Sequence, residues 1–495
     1  MQFDRTSRAR AAAANVAGQR GLSIAVCAAL AFALAGCAVG PDYKRPEIEA
    51  PKDWRIEYEK AAEVANTRWW EQFGDPALNQ IVEEALRNNL DIQAAAARVD
   101  QFLGALSTTR AQFFPQIGYA GSASRNRASQ AGVTPLPSGI NTNYSLYEAN
   151  LNASWQIDLF GRVRRQSENV QAQVYASEQG RRGVILSVVT TAATLYVGLR
   201  ALDRELEIAS STAQNYADTK RLFQARFTGG VVSEVELSQI ESQYQTALAA
   251  IPSFEQQIAA QEGLISVLLG RNPGPIPRGK PIDELVAPAI PAGLPSELLE
   301  RRPDVLQAEQ NLVAANANIG VAKSLYFPSI SLTGLFGSVS TTTGNFLKEP
   351  SRTWSVAADL AGPIFTFGAI SGQVHTAEAA RQEATFFYRS TILNAFRDTN
   401  DALVGSQKKS EEARAQARRV QALREYARLS RLRFDNGAAS YIEVLYAENE
   451  LFSAELVAVS TLADRYTQLI NVYKAMGGGW VDFSDPLAPQ KKEGK

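Results

Sequence analysis

The chain has 495 residues with 50 basic and 51 acidic side chains, so it is too long for one small core and has no basic excess to draw nucleic acid. Its one His and two Cys, both Cys before residue 40, leave no material for a disulfide framework or a Cys/His metal cluster, and a zinc or iron enzyme fits poorly. No internal run of eighteen apolar residues exists, so if this chain spans a membrane it does so as a β-barrel.

Arg5, Arg8, Arg10 and Arg20 precede the apolar segment from Gly21 to Ala35, which reads as a signal peptide over 1–36. It ends Leu34-Ala35-Gly36-Cys37, which resembles the bacterial lipobox. That resemblance implies cleavage before Cys37, with diacylglycerol on its sulfur and an acyl chain on its new amino group. The alternative is an incidental Cys in an ordinary signal peptide. Cys27 would leave with the segment. Ala38 rather than Asp follows, which by resemblance to lipoprotein sorting fits the outer membrane. Residues 37–75 then form a lipidated tether, each buried CH₂ contributing about 0.8 kcal/mol of membrane affinity.

An internal repeat follows. Asn89-Leu90-Asp91-Ile92 and Phe114-Pro115 match Arg302-Pro303-Asp304-Val305 and Phe327-Pro328, each 213 positions on. Phe160-Gly161, Arg226-Phe227, Gly230 and Gly270 match Phe367-Gly368, Arg433-Phe434, Gly437 and Gly477, each 207 positions on. Repeat 1 covers 76–270, a Pro-rich connector 271–296, repeat 2 297–479, and a polar tail 480–495. Each repeat predicts a helix, two strands, a very long helix, a tight turn and a returning helix. In the first helices Ile92, Val99, Leu106 and Phe113, then Val305, Leu312, Ile319 and Tyr326, recur every seven residues, the pattern of helices packed as coiled coils.

Pro115 and Pro328 end these helices. From Tyr147 to Leu159 apolar and polar residues alternate without a break, giving a strand with one greasy and one wet face. Ile117 and Tyr119, then Ile330, Leu332 and Phe336, then Trp354, Val356, Ala358 and Leu360, continue the alternation. Beyond Gly161 and Gly368 two long helices begin, with unwinding expected near Gly180 and Gly183. Thr228-Gly229-Gly230 and Asp435-Asn436-Gly437 reverse them, and Ser233 and Ser440 cap the returns. Pro252 is expected to interrupt the first return only.

Four amphipathic strands cannot close a barrel, and open edges cannot face lipid. Copies of the chain must complete it: two would give eight strands and a filled interior, three would give twelve and a water-filled lumen. The expected fold class is mainly α, with a transmembrane β-barrel and long coiled-coil helices.

The chain resembles the TolC-type outer-membrane efflux proteins, in the lipoprotein branch that partners RND pumps. The residues carrying this are Cys37, Gly40-Pro41-Asp42-Tyr43 with Pro46, Trp69-Trp70 with Phe73 and Asp75, Phe114-Pro115, Asp158 to Arg162, Arg301 to Val305, Phe327-Pro328 and the two turns. The resemblance implies a homotrimer with a twelve-stranded barrel and an α-helical periplasmic tunnel. It also implies a periplasmic adaptor, an inner-membrane pump and no catalysed reaction. Arg226, Phe227, Thr228, Gly229, Gly230, Arg433, Phe434, Asp435, Asn436 and Gly437 would be the adaptor-contacting tips. Gly230 and Gly437 would also serve any helix reversal, and Arg226 and Arg433 could act as partners of the helix C-terminal dipoles.

Asp218 and Tyr426 are candidate gate residues, although a helix-face Asp is more often simply solvated, and Ala439 stands where close relatives carry an acid. His375 lacks neighbours for a metal or proton relay. The function this implies is an exit duct for small molecules such as drugs or other toxic compounds. The alternatives are a type I protein-secretion channel, or a structural envelope lipoprotein without transport, for which alternating strands have no use.

Overall fold

The structure, a computed structural model, describes residues 38–47, 51, 68–129, 141–290 and 298–478. The signal segment, Cys37 and the C-terminal tail lie outside the described residues.

Two helices, α1 (Pro76–Asn88) and α2 (Leu90–Ala111), lead into strands β1 (Gln116–Arg127) and β2 (Asn143–Ile157). The hairpin α3 (Arg162–Thr228) and α4 (Glu234–Leu268) follows. A single turn α5 (Leu298–Arg301) and α6 (Pro303–Ser324) open the second repeat. It continues with β3 (Ser329–Ser340), β4 (Arg352–Ala361), α7 (Ala369–Asp435) and α8 (Tyr441–Ala475). Four element pairs hold the repeat to the residue in length: α2 and α6 have 22 residues, β1 and β3 have 12, α3 and α7 have 67, α4 and α8 have 35, whereas β2 has 15 and β4 has 10. It also holds in side-chain contacts. Arg110 donates to Gln171 at 2.7 Å, and their counterparts Lys323 and Glu378 pair at 3.0 Å.

Several boundaries differ from the expectation. The alternation of β2 runs on to Leu159, but the strand stops at Ile157 because the Asp158 carboxylate accepts from the Val163 and Arg164 backbone N–H groups and so opens α3. Phe113 and Tyr326, the last members of the heptads, lie past the helix ends in turns. No unwinding occurs at Gly180 or Gly183; a Cβ on Gly180 would lie 3.0 Å from the Gln307 amide, so that glycine permits close packing instead. Pro252 sits inside an unbroken α4. The connector contains a short 3-10 turn, Ile282–Glu284.

The described residues form two compact units that cut across the repeats. The first contains the strands, the 38–46 segment and the adjoining helix ends, 100–175 and 310–386. Its sheet is an antiparallel meander in the order β1-β2-β3-β4. Cross-strand partners share a face, and the rows Tyr119–Leu151–Phe336–Trp354 and Ile157–Ile330–Leu360 fall on one side. Asn152, Ser154, Gln156, Ser331, Thr333 and Asp359 fall on the other. Along β2 the greasy face spans ten residue steps from Tyr147 to Ile157, about 25 Å of membrane normal at ~3.3 Å per step and ~40° tilt, while Ser338, Ser340 and Arg352 share that face at the Tyr147 end.

The second unit is helical and has its own core. Trp69, Trp70 and Phe73 form a 3-10 turn and are fully buried, Trp69 stacking on Tyr473 at 4.9 Å and Phe73 lying 5.7 Å from Tyr466. Buried Asp75 caps α1 and accepts from Ala77 N (2.9 Å), Tyr196 Oη (2.6 Å) and Lys280 N (3.0 Å), which ties the connector to α3. The most apolar eighteen residues within α3 have mean hydropathy 1.6 and are 67% buried, so they serve as core.

Candidate functional site: helical tips, N-terminal strap and strand sheet

The tips form because α3 and α7 both end on a glycine that takes a left-handed backbone, Gly230 at φ 74° and Gly437 at φ 72°. The turns are superposable in bonding. Gly230 N–H donates to Phe227 O and Val231 N–H to Arg226 O, while Gly437 N–H donates to Phe434 O and Ala438 N–H to Arg433 O. No atom lies within 4 Å of a Cβ built on either glycine, so the left-handed φ alone requires them.

The two returns start differently. Ser233 and Glu236 make a reciprocal capping box. Ser440 stands at the cap position of α8 without a side-chain cap bond: the Glu443 N–H donates to the Ser440 carbonyl at 3.2 Å, and the Glu443 carboxylate pairs with Arg433 at 2.7 Å. Arg433 also donates to Ala438 O, stapling its own turn.

Behind the turns, Phe223 meets Tyr441 at 4.3 Å and Phe434 at 6.1 Å between ring centroids, and Phe434 meets Tyr441 at 5.0 Å. The Arg226 guanidinium sits 5.7 Å from both the Phe223 and Phe434 rings. This knot ties one hairpin to the other. Phe227, Thr228, Gly229, Gly230, Asp435, Asn436 and Gly437 remain exposed.

Alongside lies a groove of about 790 Å³ whose lining includes Tyr216, Asp218, Arg431 and Glu448. Burial raises the Glu448 carboxyl against the pull of Arg431 at 3.4 Å, and burial pushes the Tyr441 hydroxyl up to about 12. Asp218 is exposed, accepts from Gln214 and pairs with Arg221. Tyr426 and His375 are exposed as well.

In the first unit, residues 38–42 strap across the start of α3. Val39 N–H donates to Phe160 O, and buried Arg165 holds Val39 O and Gly40 O at 3.3 Å and the Asp42 carboxylate at 2.8 Å. Asn316 donates to Pro41 O at 2.9 Å. Three glycines let the backbones touch: a Cβ on Gly40 would lie 2.5 Å from Gly320 Cα, one on Gly320 2.6 Å from Val39 O, and one on Gly161 2.8 Å from Ala38 Cα. The residue after Cys37 is thus fixed where β2 gives way to α3.

A family profile described as outer membrane efflux protein matches residues 81–271 and 294–478. The chain belongs to that family. The probable efflux pump outer membrane protein TtgC of Pseudomonas putida is 33% identical over 469 residues, 93% of this chain and 96% of TtgC. SilC of Salmonella typhimurium, named a probable outer membrane lipoprotein, is 30% identical over 457 residues, 91% of this chain and 97% of SilC. The solved outer-membrane channel OprN superposes with a TM-score of 0.82 at 29% identity, covering 90% of this chain and 100% of OprN. As an outer-membrane efflux protein, the chain is an exit duct, its strands the membrane part and its long hairpins the periplasmic part.

Sequence reasoning found the turns through their glycines, and singled out Gly40-Pro41-Asp42-Tyr43 as a family motif within the tether without foreseeing the strap. It missed Arg165, Asn316 and Phe223, whose partners lie far away in sequence, and Tyr441 and Glu448, which meet Phe434 and Arg431 across the second turn.

The half-buried Glu205 gives a pH effect. Burial alone pushes Glu205, on α3, from 4.5 up to about 7. A carboxyl with a raised folded pKa favours the folded state below pH 4.5 and loses that contribution as pH rises to 7. Glu205→Gln should flatten the fall in melting temperature across that window, measured by calorimetry in detergent; an unchanged pH profile would refute the assignment.

Proposed function

We propose that three copies of this chain close one twelve-stranded barrel in the outer membrane and continue it as an α-helical tunnel in the periplasm. The supporting observation is the sheet itself: four strands that share an apolar face in the rows from Leu151 to Ile157, with β1 and β4 each paired on one side only among the described residues. Lipid cannot satisfy the free N–H and C=O groups of such edges, and cyclic closure does. Twelve strands leave room for a wet lumen, which the Asn, Ser and Gln face would line.

In this reading the exposed turns at 226–230 and 433–437 contact a periplasmic adaptor that joins the duct to an inner-membrane pump of the RND type. Asp218 and Tyr426 would be the candidates for its constriction. Small toxic compounds pass through, and no bond is made or broken in the duct. Cys37 carries the lipid, a reading supported by the lipobox and by the lipoprotein name of SilC.

The test is native mass spectrometry of the detergent-purified mature protein, followed by conductance in planar bilayers. Trimers that conduct ions are expected; a folded, non-conducting monomer would overturn the proposal. Metabolic palmitate labelling should disappear in Cys37→Ala, and label persisting there would refute the lipid site.

A further inference from the structure

The apolar face of the sheet changes character toward the connections that join β1 to β2 and β3 to β4. Its last fully apolar row is Tyr119–Leu151–Phe336–Trp354, and all four of those side chains are exposed, Trp354 by 73%. The next row holds Gly121, Ala149, Ser338 and Arg352, and the one after it Ala123, Tyr147 and Ser340. Beyond Tyr147 come Arg125, opposite Ser145, and Arg127, opposite Asn143. Both arginines keep the parity of Tyr119, so they stand on the side of β1 that faces lipid in a closed barrel, and both are exposed.

Nothing on their own hairpin offsets this charge. No acidic residue occurs between Asp100 and Glu148 in the sequence, and Glu148 belongs to the wet side, where it accepts from Ser122 at 3.4 Å. Arg352, the strand cation on the same side of β4, differs, because Glu349 pairs with it at 2.7 Å.

The strand sets the height of the pair. Arg125 stands two residue steps past Tyr147 and Arg127 four, about 5 and 10 Å of membrane normal at ~3.3 Å per step and ~40° tilt. Tyr147, whose ring lies 6.3 Å from that of Phe346, is the type of side chain that marks the border between hydrocarbon and headgroups. The arginines therefore stand in the headgroup layer, with exposed apolar surface directly below them. An amphiphile with an anionic head and several acyl chains fits both parts at once.

We infer that Arg125 and Arg127 hold a phosphate of a phosphorylated, multiply acylated glycolipid in the outer leaflet, its acyl chains lying on the apolar rows below. This rests on the membrane placement proposed above, in which the helices are periplasmic and the strand connections face outward. Alternate residues of a strand are about 6.6 Å apart, so both guanidinia reach one phosphate, and each donates a pair of parallel N–H bonds to its oxygens. A zwitterionic phospholipid brings its own ammonium to its phosphate. A glycolipid phosphate has no internal cation, so it gains more from the guanidinium fork.

The test is native mass spectrometry of the full-length mature protein in a neutral detergent, titrated with lipid A, the diphosphorylated acyl disaccharide. Phosphatidylethanolamine and phosphatidylglycerol are the comparison lipids. Parent trimers should take up lipid A in preference to either phospholipid. Arg125→Ser with Arg127→Ser should weaken that uptake about tenfold to a hundredfold, the size expected for losing hydrogen bonds to a charged group. A variant that moves both cations to the wet face (Ser124→Arg, Arg125→Ser, Asn126→Arg, Arg127→Asn) keeps the net charge and should be as weak. Arg352→Ser, whose charge Glu349 already balances, should change uptake by less than about fivefold.

Trimers of the double variant that bind lipid A like the parent would overturn the site while closure stands. Parent-like binding by the face-swapped variant would reduce the effect to net charge and overturn it too. Equal uptake of phosphatidylglycerol would remove the glycolipid as the occupant. A parent chain that is monomeric in the same spectra would defeat the closure, and the site with it.

Discussion

Leu151→Arg is expected to remove the protein from the outer membrane, while Asn152→Arg, one residue along the same strand, leaves it there. Leu151 lies in the row Tyr119–Leu151–Phe336–Trp354, near the middle of the greasy face. An Arg on the lipid side of a barrel at mid-depth costs about 2–4 kcal/mol, and cyclic assembly repeats that cost in each copy. Against a net stability of about 5–15 kcal/mol for an ordinary fold, three such insertions leave little margin.

Asn152 shares its row with Gly118, Leu335 and Ser355 on the wet face, where a cation meets water. Outer-membrane fractionation with unboiled gel electrophoresis of both variants gives the comparison. The greasy-face assignment fails if Leu151→Arg inserts as the parent chain does, or if the two substitutions behave alike.

That contrast was readable from sequence because a strand has a period of two and its faces follow from it. The repeat was legible for a similar reason: Phe-Pro, Phe-Gly and the turn glycines mark backbone events that recur at fixed offsets, and the first strands and the long helices then agree in length to the residue. Periodicity was less able to locate ends. Leu159 continues the apolar count, but no count shows that the Asp158 carboxylate is already capping the next helix. Gly180 looked like a break and is a packing contact with Gln307, a residue 127 positions away. Ser440 has the residue type of a cap, and only the structure shows that Arg433 has taken the Glu443 carboxylate. Gly40-Pro41-Asp42-Tyr43 stood out as a family motif but not as a strap, because Arg165, the side chain that holds it, is separated from Asp42 by 123 residues. The tips were recognised as turns, while the aromatic knot behind them required the two repeats to be brought together.

That knot sets the second large effect. Phe223→Ala should loosen both tips together while leaving the barrel intact. Phe223 is 1% exposed and touches Tyr441, Phe434 and the Arg226 guanidinium, so it is shared by the two hairpins. Truncating a fully buried Phe costs about 3–5 kcal/mol, and here it opens a cavity in the buried cluster that Phe223 shares with Tyr216, Ile240, Tyr441 and Val444. Arg226→Ala removes only a partly solvated cation–π contact, about 0.5–1 kcal/mol. Because the loss is confined to one end of long helices, it should appear as local opening and not as global unfolding.

Hydrogen exchange is expected to quicken by about a hundredfold to a thousandfold at amides in 218–236 and 430–446, at about 1.4 kcal/mol per tenfold. Exchange in β3 and β4 should stay at the parent rate, and Arg226→Ala should shift the tips by less than about tenfold. On the proposed assignment of the tips to the periplasmic mouth, the same Phe223 variant should conduct more readily in planar bilayers, because the hairpins are no longer tied. Tip protection equal to that of the parent chain would mean that the rings are bystanders and that the turns alone hold the hairpins together.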